Sequence, residues 1–464
     1  MKDQSYDDGF CNRAEALEEA DNTPLSPSSV ATIGDIINKR YGRRDVMRGM
    51  LGVTAVTALF GTTALTAATD AKAAAASTFN FSELESGNDV NHHIAEGYNA
   101  DVLIRWGDPI FPDTADFDPQ AQSAADQEKR FGYNNDYVGF VPLNAAETRG
   151  LLCVNHEYTN EEVMFPGIGR QDRDGFPDMT KDLVDIEMAA HGGSVFEIAK
   201  GEDGKWGVVL DSVFNRRITA NTPMTIDGPA AGHDRLKTGA DPSGMVVLGT
   251  INNCAGGITP WGTYLMAEEN FHGYFWTDNK DADGKAVLEG PNAANNKRYG
   301  TPGGWYAWGQ HHDRFNIDKE PNEPNRFGWV VEVDPMNPTA MPVKHTALGR
   351  ARHEGAESLV NKDGRVVVYS GDDARFDYVY KFVSAGKVSG NKAEDMKLLS
   401  DGTLYVGKFH EDGKLEWLPL VHGAGPLTEG NGFMSQADVL IDTRLAADAL
   451  GATPMDRPED VQPG

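Results

Sequence analysis

Side chains able to do chemistry crowd into Arg352-His353-Glu354-Gly355-Ala356-Glu357, just ahead of the apolar run Ser358-Leu359-Val360. In an extended chain successive side chains alternate between faces, so Arg352 and Glu354 point the same way. Gly355 tolerates a backbone conformation that other residues resist, and a kink there re-aims Glu357 toward that same side. A carboxylate beside a fixed arginine suits a site where cations hold an anion and the arginine forks onto its oxygens. The competing reading is an Arg–Glu surface pair at a strand start, so other segments must decide.

Three further segments place ligand-type side chains at the ends of strand-like runs: Cys153 to Glu157, Glu268-Glu269-Asn270, and Asp372-Asp373. An acidic pair after a strand is more often a solvated turn than a ligand pair. Cys153 stands among Asn155, His156 and Glu157 and reads as a metal ligand rather than half of a disulfide. Cys254, between Asn253 and Ala255-Gly256-Gly257, has small neighbours and reads as a buried structural thiol. Hard oxygens suit Ca2+ or Fe3+ and a thiolate suits a transition metal, so together they predict a mixed metal site. The His-Glu-x-x-His spacing of zinc enzymes, the Gly-x-Ser-x-Gly elbow and the Walker-type loop are all missing.

The elements that must position these groups read as short strands. Candidate runs are 101–106, 137–143, 150–155, 194–199, 206–210, 245–251, 263–267, 329–333, 365–370, 376–382, 403–409 and 415–420. Asp203-Gly204, Asp363-Gly364 and Asp412-Gly413 are turn signals between or beside them. Helical character is confined to 144–148 and 185–190. This pattern predicts an all-β fold, a sandwich or a β-propeller, with radial closure the easier way to avoid exposed edges at this length. The segments 211–243, 270–327 and 421–464, rich in Gly, Pro, Asn and charge, read as long loops of the kind that carry function.

The chain has 464 residues, 40% of them apolar, and a formal charge of -28. Such a charge argues against nucleic acid as a partner. It also repels phosphorylated substrates unless cations bind. Arg43-Arg44 followed by an uncharged run from Gly49 to Leu65 and by Ala71-Lys72-Ala73 reads as a twin-arginine export signal. The expected division is therefore 1–73 as a leader with a long polar start that carries no fold, and 74–464 as the working domain. Cys11 would be lost with the leader. The apolar run is short and Gly/Ala/Thr-rich, so no stable membrane anchor is expected. The expected location is periplasmic or secreted, with the twin-arginine export machinery as partner.

Several stretches together resemble the PhoX-type alkaline phosphatases: GYNADVLIRWGDPI from Gly97, FGYNNDYVGF from Phe131, CVNHEYTNEEVMFPG from Cys153, GPAAGHDRL from Gly228, NNCAGGITPWGTYLMAEEN from Asn252, FGWVVEVDP from Phe327, RHEGAESL from Arg352 and GDDARFDYVYKF from Gly371. The resemblance implies a six-bladed β-propeller with its site at the channel mouth, monomeric, and hydrolysis of small phosphomonoesters. It implies Fe3+ and Ca2+ ions joined by a bridging oxo group. On it, Cys153 would bind iron, Glu268 or Glu269 and Glu354 would bind metal, and Glu357 would lie on the calcium side. Arg352 would clamp the phosphoryl oxygens, and Asn135 or Asn155 would donate to them. Glu157, Asp372 and Asp373 are added as ligands from their position in the four segments. Family members continue beyond Gly464, so the final part of the propeller is expected to be missing and the chain to be aggregation-prone alone. The alternatives are another metal-dependent propeller esterase, or a non-catalytic scaffold that uses calcium for structure.

Overall fold

The computed structural model describes residues 13–40, 82, 84–87 and 90–463. The twin-arginine pair, the apolar run after it, Ala71-Lys72-Ala73 and Cys11 lie outside the described residues. The architecture is all-β and propeller-like, with several largely antiparallel sheets and, among the described residues, no closed barrel.

The first sheet contains β1 (Asn135–Pro142), β2 (Arg149–His156), β3 (Gly192–Lys200), β4 (Trp206–Val208) and β5 (Arg216–Ile218), in the order β1-β2-β3-β4 with β5 paired to β3. Asp203-Gly204 turns β3 into β4 as its sequence demands, with Gly204 at φ 81° and the Gly201 N–H on the Lys205 carbonyl at 2.8 Å. The second sheet contains β6 (Pro223–Asp227), β7 (Val246–Leu248), β8 (Asn253–Ile258), β9 (Tyr264–Glu268), β10 (Val330–Val333) and β11 (Val343–His345), in the order β7-β6-β11-β10-β9-β8. Only β6 and β11 run parallel in it. The third contains β12 (His353–Val360), β13 (Arg365–Asp372), β15 (Val379–Lys387), β16 (Gly402–Phe409) and β17 (Leu415–Pro419), in that order. β14 (Arg375–Asp377) pairs separately with β18 (Met455–Asp456). Central strands are buried on both faces: in β13, Val366, Val367 and Val368 are all in the core, which explains a continuous apolar run in place of alternation.

Several sequence expectations are corrected. Residues 101–106 form no strand and 144–148 form a turn. The segment 270–327 is no surface loop: Phe271, Tyr274, Phe275, Tyr299, Tyr306, Trp308, Phe315 and Phe327 are fully buried in it. Its aromatic rings stack on one another (Tyr274 on Tyr306 at 4.6 Å between centroids), so irregular backbone encloses much of the core. The segment 421–464 contains the helices Gln436–Ile441 and Thr443–Leu450 and the strand β18. Finally, residues 13–40 of the polar start are folded. Arg13–Asp21 and Ile33–Arg40 are helices, and Ile36 is buried against the domain.

Candidate functional site

Three neighbouring antiparallel strand pairs present their ends to one cleft, and each pair loses its regular register there. The irregularity falls between Asn135 and Val138 in β1/β2, between Asn253 and Gly256 in β8/β9, and between Glu354 and Glu357 in β12/β13. Bulges bend a strand and re-aim its side chains, which is why they gather at sites. In β12 the kink falls at Gly355, with φ 79°, where a Cβ would meet Asp460 Oδ1 at 2.4 Å. The three pairs are held close: a Cβ on Gly257 of β8 would lie 2.4 Å from the Ala356 carbonyl oxygen of β12. Asn134 and Arg457 at the cleft, and Asn252 in the crevice beside it, have positive φ without being glycine (46°, 55° and 46°). Such backbone costs about 1–3 kcal/mol per residue and persists where the surroundings enforce it.

The cleft, about 280 Å³, is lined by Asp21, Asn134, Asn135, Asp136, Glu157, Tyr158, Cys254, Glu269, Asn270, Glu354, Asp373, Arg457 and Glu459. Its acids form three overlapping triads: Asp136–Glu157–Cys254, Cys254–Glu269–Glu354 and Asp21–Glu269–Asp373. In each, the ligand atoms lie within 4.8 Å of one another. Cys254 Sγ is 2.9 Å from Glu354 Oε2 and 3.6 Å from Asp136 Oδ2. Burial, followed by the neighbouring carboxylates, pushes Glu269 and the Cys254 thiol well above their ordinary values. Glu354 is pushed up to about 8, by burial first and then by Asp373, Asp136 and Asp460. These groups cannot all ionise so close together unless cations join them. Asn270 Oδ1 and Arg352 Nε are buried without a hydrogen-bond partner among the described residues. A thiol within a ring of carboxylates and amides is a donor set that fits metal ions, and sharing Cys254 and Glu269 between triads suits several ions rather than one.

Arg352 flanks the ring. It is buried, with Nη1 on Asp21 Oδ1 at 2.8 Å and Nη2 facing His272 Nε2 at 3.0 Å and the Tyr299 carbonyl at 3.2 Å. Burial and the Arg352 charge hold His272 well below the ordinary histidine range, so its Nε2 accepts from the guanidinium. The Arg352 N–H donates to Asp372 Oδ1 at 3.1 Å, and Asp372 is itself clamped by Arg444.

The sequence profile described as "Alkaline phosphatase PhoX" matches residues 79–464. The chain belongs to the PhoX alkaline phosphatase family. A solved PhoX structure, "Pseudomonas fluorescens PhoX in complex with vanadate, a transition state analogue", shares 42% sequence identity with it at a TM-score of 0.73. That match covers 79% of this chain and 63% of the PhoX chain, so less than two thirds of the relative's length is represented. Comparison with curated protein sequences gives no match.

The structure brings together Arg352, Asn135, Glu157, Glu269, Glu354 and Asp373 from the residues singled out in the sequence. It sets others apart. Cys153 lies in the hydrophobic core with Val195 and Met266, its thiol pushed up by burial alone, and joins none of the acidic triads. The small neighbours of Cys254, read as marks of a structural thiol, are what lets β8 approach the other strands so closely. Glu268 points the other way, buried on Lys344 Nζ at 2.6 Å and accepting the Gly328 and Trp329 N–H groups. Asn155 donates its Nδ2 to the Cys254 and Ala255 carbonyls and accepts the Tyr264 hydroxyl at Oδ1, so it fixes the β8 backbone rather than facing the cleft. Asp372 is Arg444's partner. Glu357 stands beside Asp460 and Gln462, outside the triads. Residues the sequence reading missed are Asp136, Cys254 and Asp21, while Asn270 stood in a ligand-bearing segment without a role of its own. Asp136 and Cys254 lie inside the stretches that carried the family resemblance.

Proposed function

We propose that this chain is a metal-dependent phosphomonoester hydrolase, exported by the twin-arginine route to the periplasm or beyond. The observation that carries the reading is a buried arginine, Arg352, set against a ring of carboxylates that contains a thiol. The 42% identical PhoX holds vanadate, whose geometry mimics phosphoryl transfer, and this supports the same class of reaction here. Cys254, Glu269 and Glu354 would hold the softer metal, iron, with Asp136, Glu157 and Asp373 extending the ring toward hard, calcium-like ions. When bound, these cations supply Lewis acidity toward the phosphoryl group and cancel the ring's negative charge.

The chain's own residues do the rest. Arg352 forks onto the equatorial oxygens and stabilises the charge that develops on them. Neutral His272 holds that guanidinium at Nη2, and Asp372, accepting the Arg352 backbone N–H, fixes the main chain that carries it. Asn135 offers an amide donor at the cleft, whereas Asn270 spends its Nδ2 on Asp21 and Glu269 and presents Oδ1 as an acceptor. The buried setting strengthens each of these contacts relative to water.

The test is the 464-residue chain refolded or expressed with iron and calcium, assayed for vanadate binding and for p-nitrophenyl phosphate hydrolysis. Both metals should be retained and vanadate should bind. A protein that retains its cations yet neither binds vanadate nor cleaves the ester would remove the phosphatase reading. Retention of calcium alone would favour the scaffold.

A further inference from the structure

The segment ahead of the twin-arginine pair lies across the site. The helix Arg13–Asp21 ends at the cleft, where Asp21 is 5% exposed. Its Oδ1 is 2.8 Å from Arg352 Nη1 and its Oδ2 accepts from Asn270 Nδ2 at 3.2 Å. It also completes a triad with Glu269 and Asp373. Leu17 lines the neighbouring crevice with Glu157, Tyr158, Trp305 and Tyr306. Leu25 covers Gly300, beside the Arg352 guanidinium. The chain then runs outward. Ser26 Oγ is 3.5 Å from the Tyr378 hydroxyl, and the Ile33 N–H donates to the Pro454 carbonyl at 3.0 Å. Ile36 is buried, and Lys39 pairs with Glu411 at 2.6 Å.

We infer that residues 13–40 form a strap that occupies the phosphate position, with the Asp21 carboxylate standing where substrate oxygens would contact Arg352 and the cations. The inference rests on the phosphatase reading for the identity of the displaced ligand. An aspartate among Glu269 and Asp373 is repelled by them, so its seat depends on Arg352, on the charge of Arg457 and on the Asn270 amide. Those are the features that would bind a phosphoryl group. The tether supplies a high effective concentration, so a weak contact suffices. Removal of the leader would take the strap with it, so the site would be mostly covered, not sealed, in the folded precursor and open afterwards.

The experiment compares the metal-loaded full chain with its Asp21→Asn and Ile36→Asp variants. Asp21→Asn removes the charge at the site, and Ile36→Asp loosens the far end without touching the cleft. Inorganic phosphate is the probe, titrated calorimetrically, and amide hydrogen exchange of residues 13–25 is followed in parallel. A strap docked nine-tenths of the time lowers apparent phosphate affinity about tenfold. Both variants should therefore bind phosphate roughly tenfold more tightly, and phosphate should speed exchange of 13–25 in the unmodified chain. Equal phosphate affinity in all three proteins, or exchange of 13–25 that is fast without phosphate, would overturn the strap. Competition between strap and phosphate without any ester hydrolysis would leave the strap standing and remove the phosphatase reading instead.

Discussion

At the scale of single residues, the two core cysteines divide the work. Cys153 is walled in by apolar side chains, whereas Cys254 faces Glu354 and Asp136. A thiolate-to-iron charge-transfer band should therefore vanish in Cys254→Ser and persist in Cys153→Ser; the reverse pattern in the visible spectrum would return the ligand role to Cys153. Arg352→Lys keeps a charge but loses the two-pronged fork that the proposed phosphoryl contact requires. Hydrolysis should fall roughly a hundredfold or more with iron and calcium content unchanged, and equal turnover would show that the arginine does not meet substrate. Asn155 acts one step back. Asn155→Ala leaves the Cys254 and Ala255 carbonyls without their amide partner. It should cost about 1–3 kcal/mol in urea unfolding and lower iron occupancy, whereas Asn155 in direct contact with phosphate would change phosphate affinity at full stability.

At the scale of elements, the site depends on a helix that contributes no group to the cleft. The helix Thr443–Leu450 delivers Arg444 to Asp372, and Asp372 fixes the backbone of Arg352 just before β12 begins. Breaking a buried ion pair strands the remaining charge, at a cost of about 3–5 kcal/mol. Arg444→Met should show that loss together with weakened phosphate binding. Lys344→Met strands Glu268 between β9 and β11 in the same way, but on the far side of the sheet from the cleft. Its loss should appear in chemical denaturation alone, and a matching loss of phosphate affinity would mean the two ion pairs share one role. The bulged strand pairs give the reason that such supports matter. Each aims its ligands from a backbone without regular pairing at that point, so neighbouring elements must hold the geometry.

At the scale of the whole molecule, the formal charge of -28 meets a buried ring of acids that repel one another. Bound cations convert that repulsion into attraction and stabilise only the folded chain, by about 2.7 kcal/mol at a hundredfold excess over Kd. Chelation should lower Tm, and calcium with iron should restore it. High sodium chloride should restore little, because salt screens surface charge but hardly reaches a buried cluster. Full recovery in salt alone would place the destabilising repulsion on the surface instead.

The sequence by itself determined the all-β class, most strand positions, the kink at Gly355, the acidic character of the site and the family. These follow from local rules: β-branched runs, Asp-Gly turns and a glycine where the chain must bend. Tertiary structure alone decided which acids converge. Glu268 and Glu269 are adjacent, as are Asp372 and Asp373, yet Glu269 and Asp373 join the cleft, Asp373 with Arg457 on it, while Glu268 and Asp372 face the buried Lys344 and Arg444, because successive residues at a strand end point to opposite sides. The choice between Cys153 and Cys254 was equally hidden. Local neighbours favoured Cys153, but the side of β2 that it occupies packs into the core, and a thiol's surroundings are set by strands distant in sequence. The same holds for Asp21, whose role depends on a contact with Arg352 across 331 positions of chain.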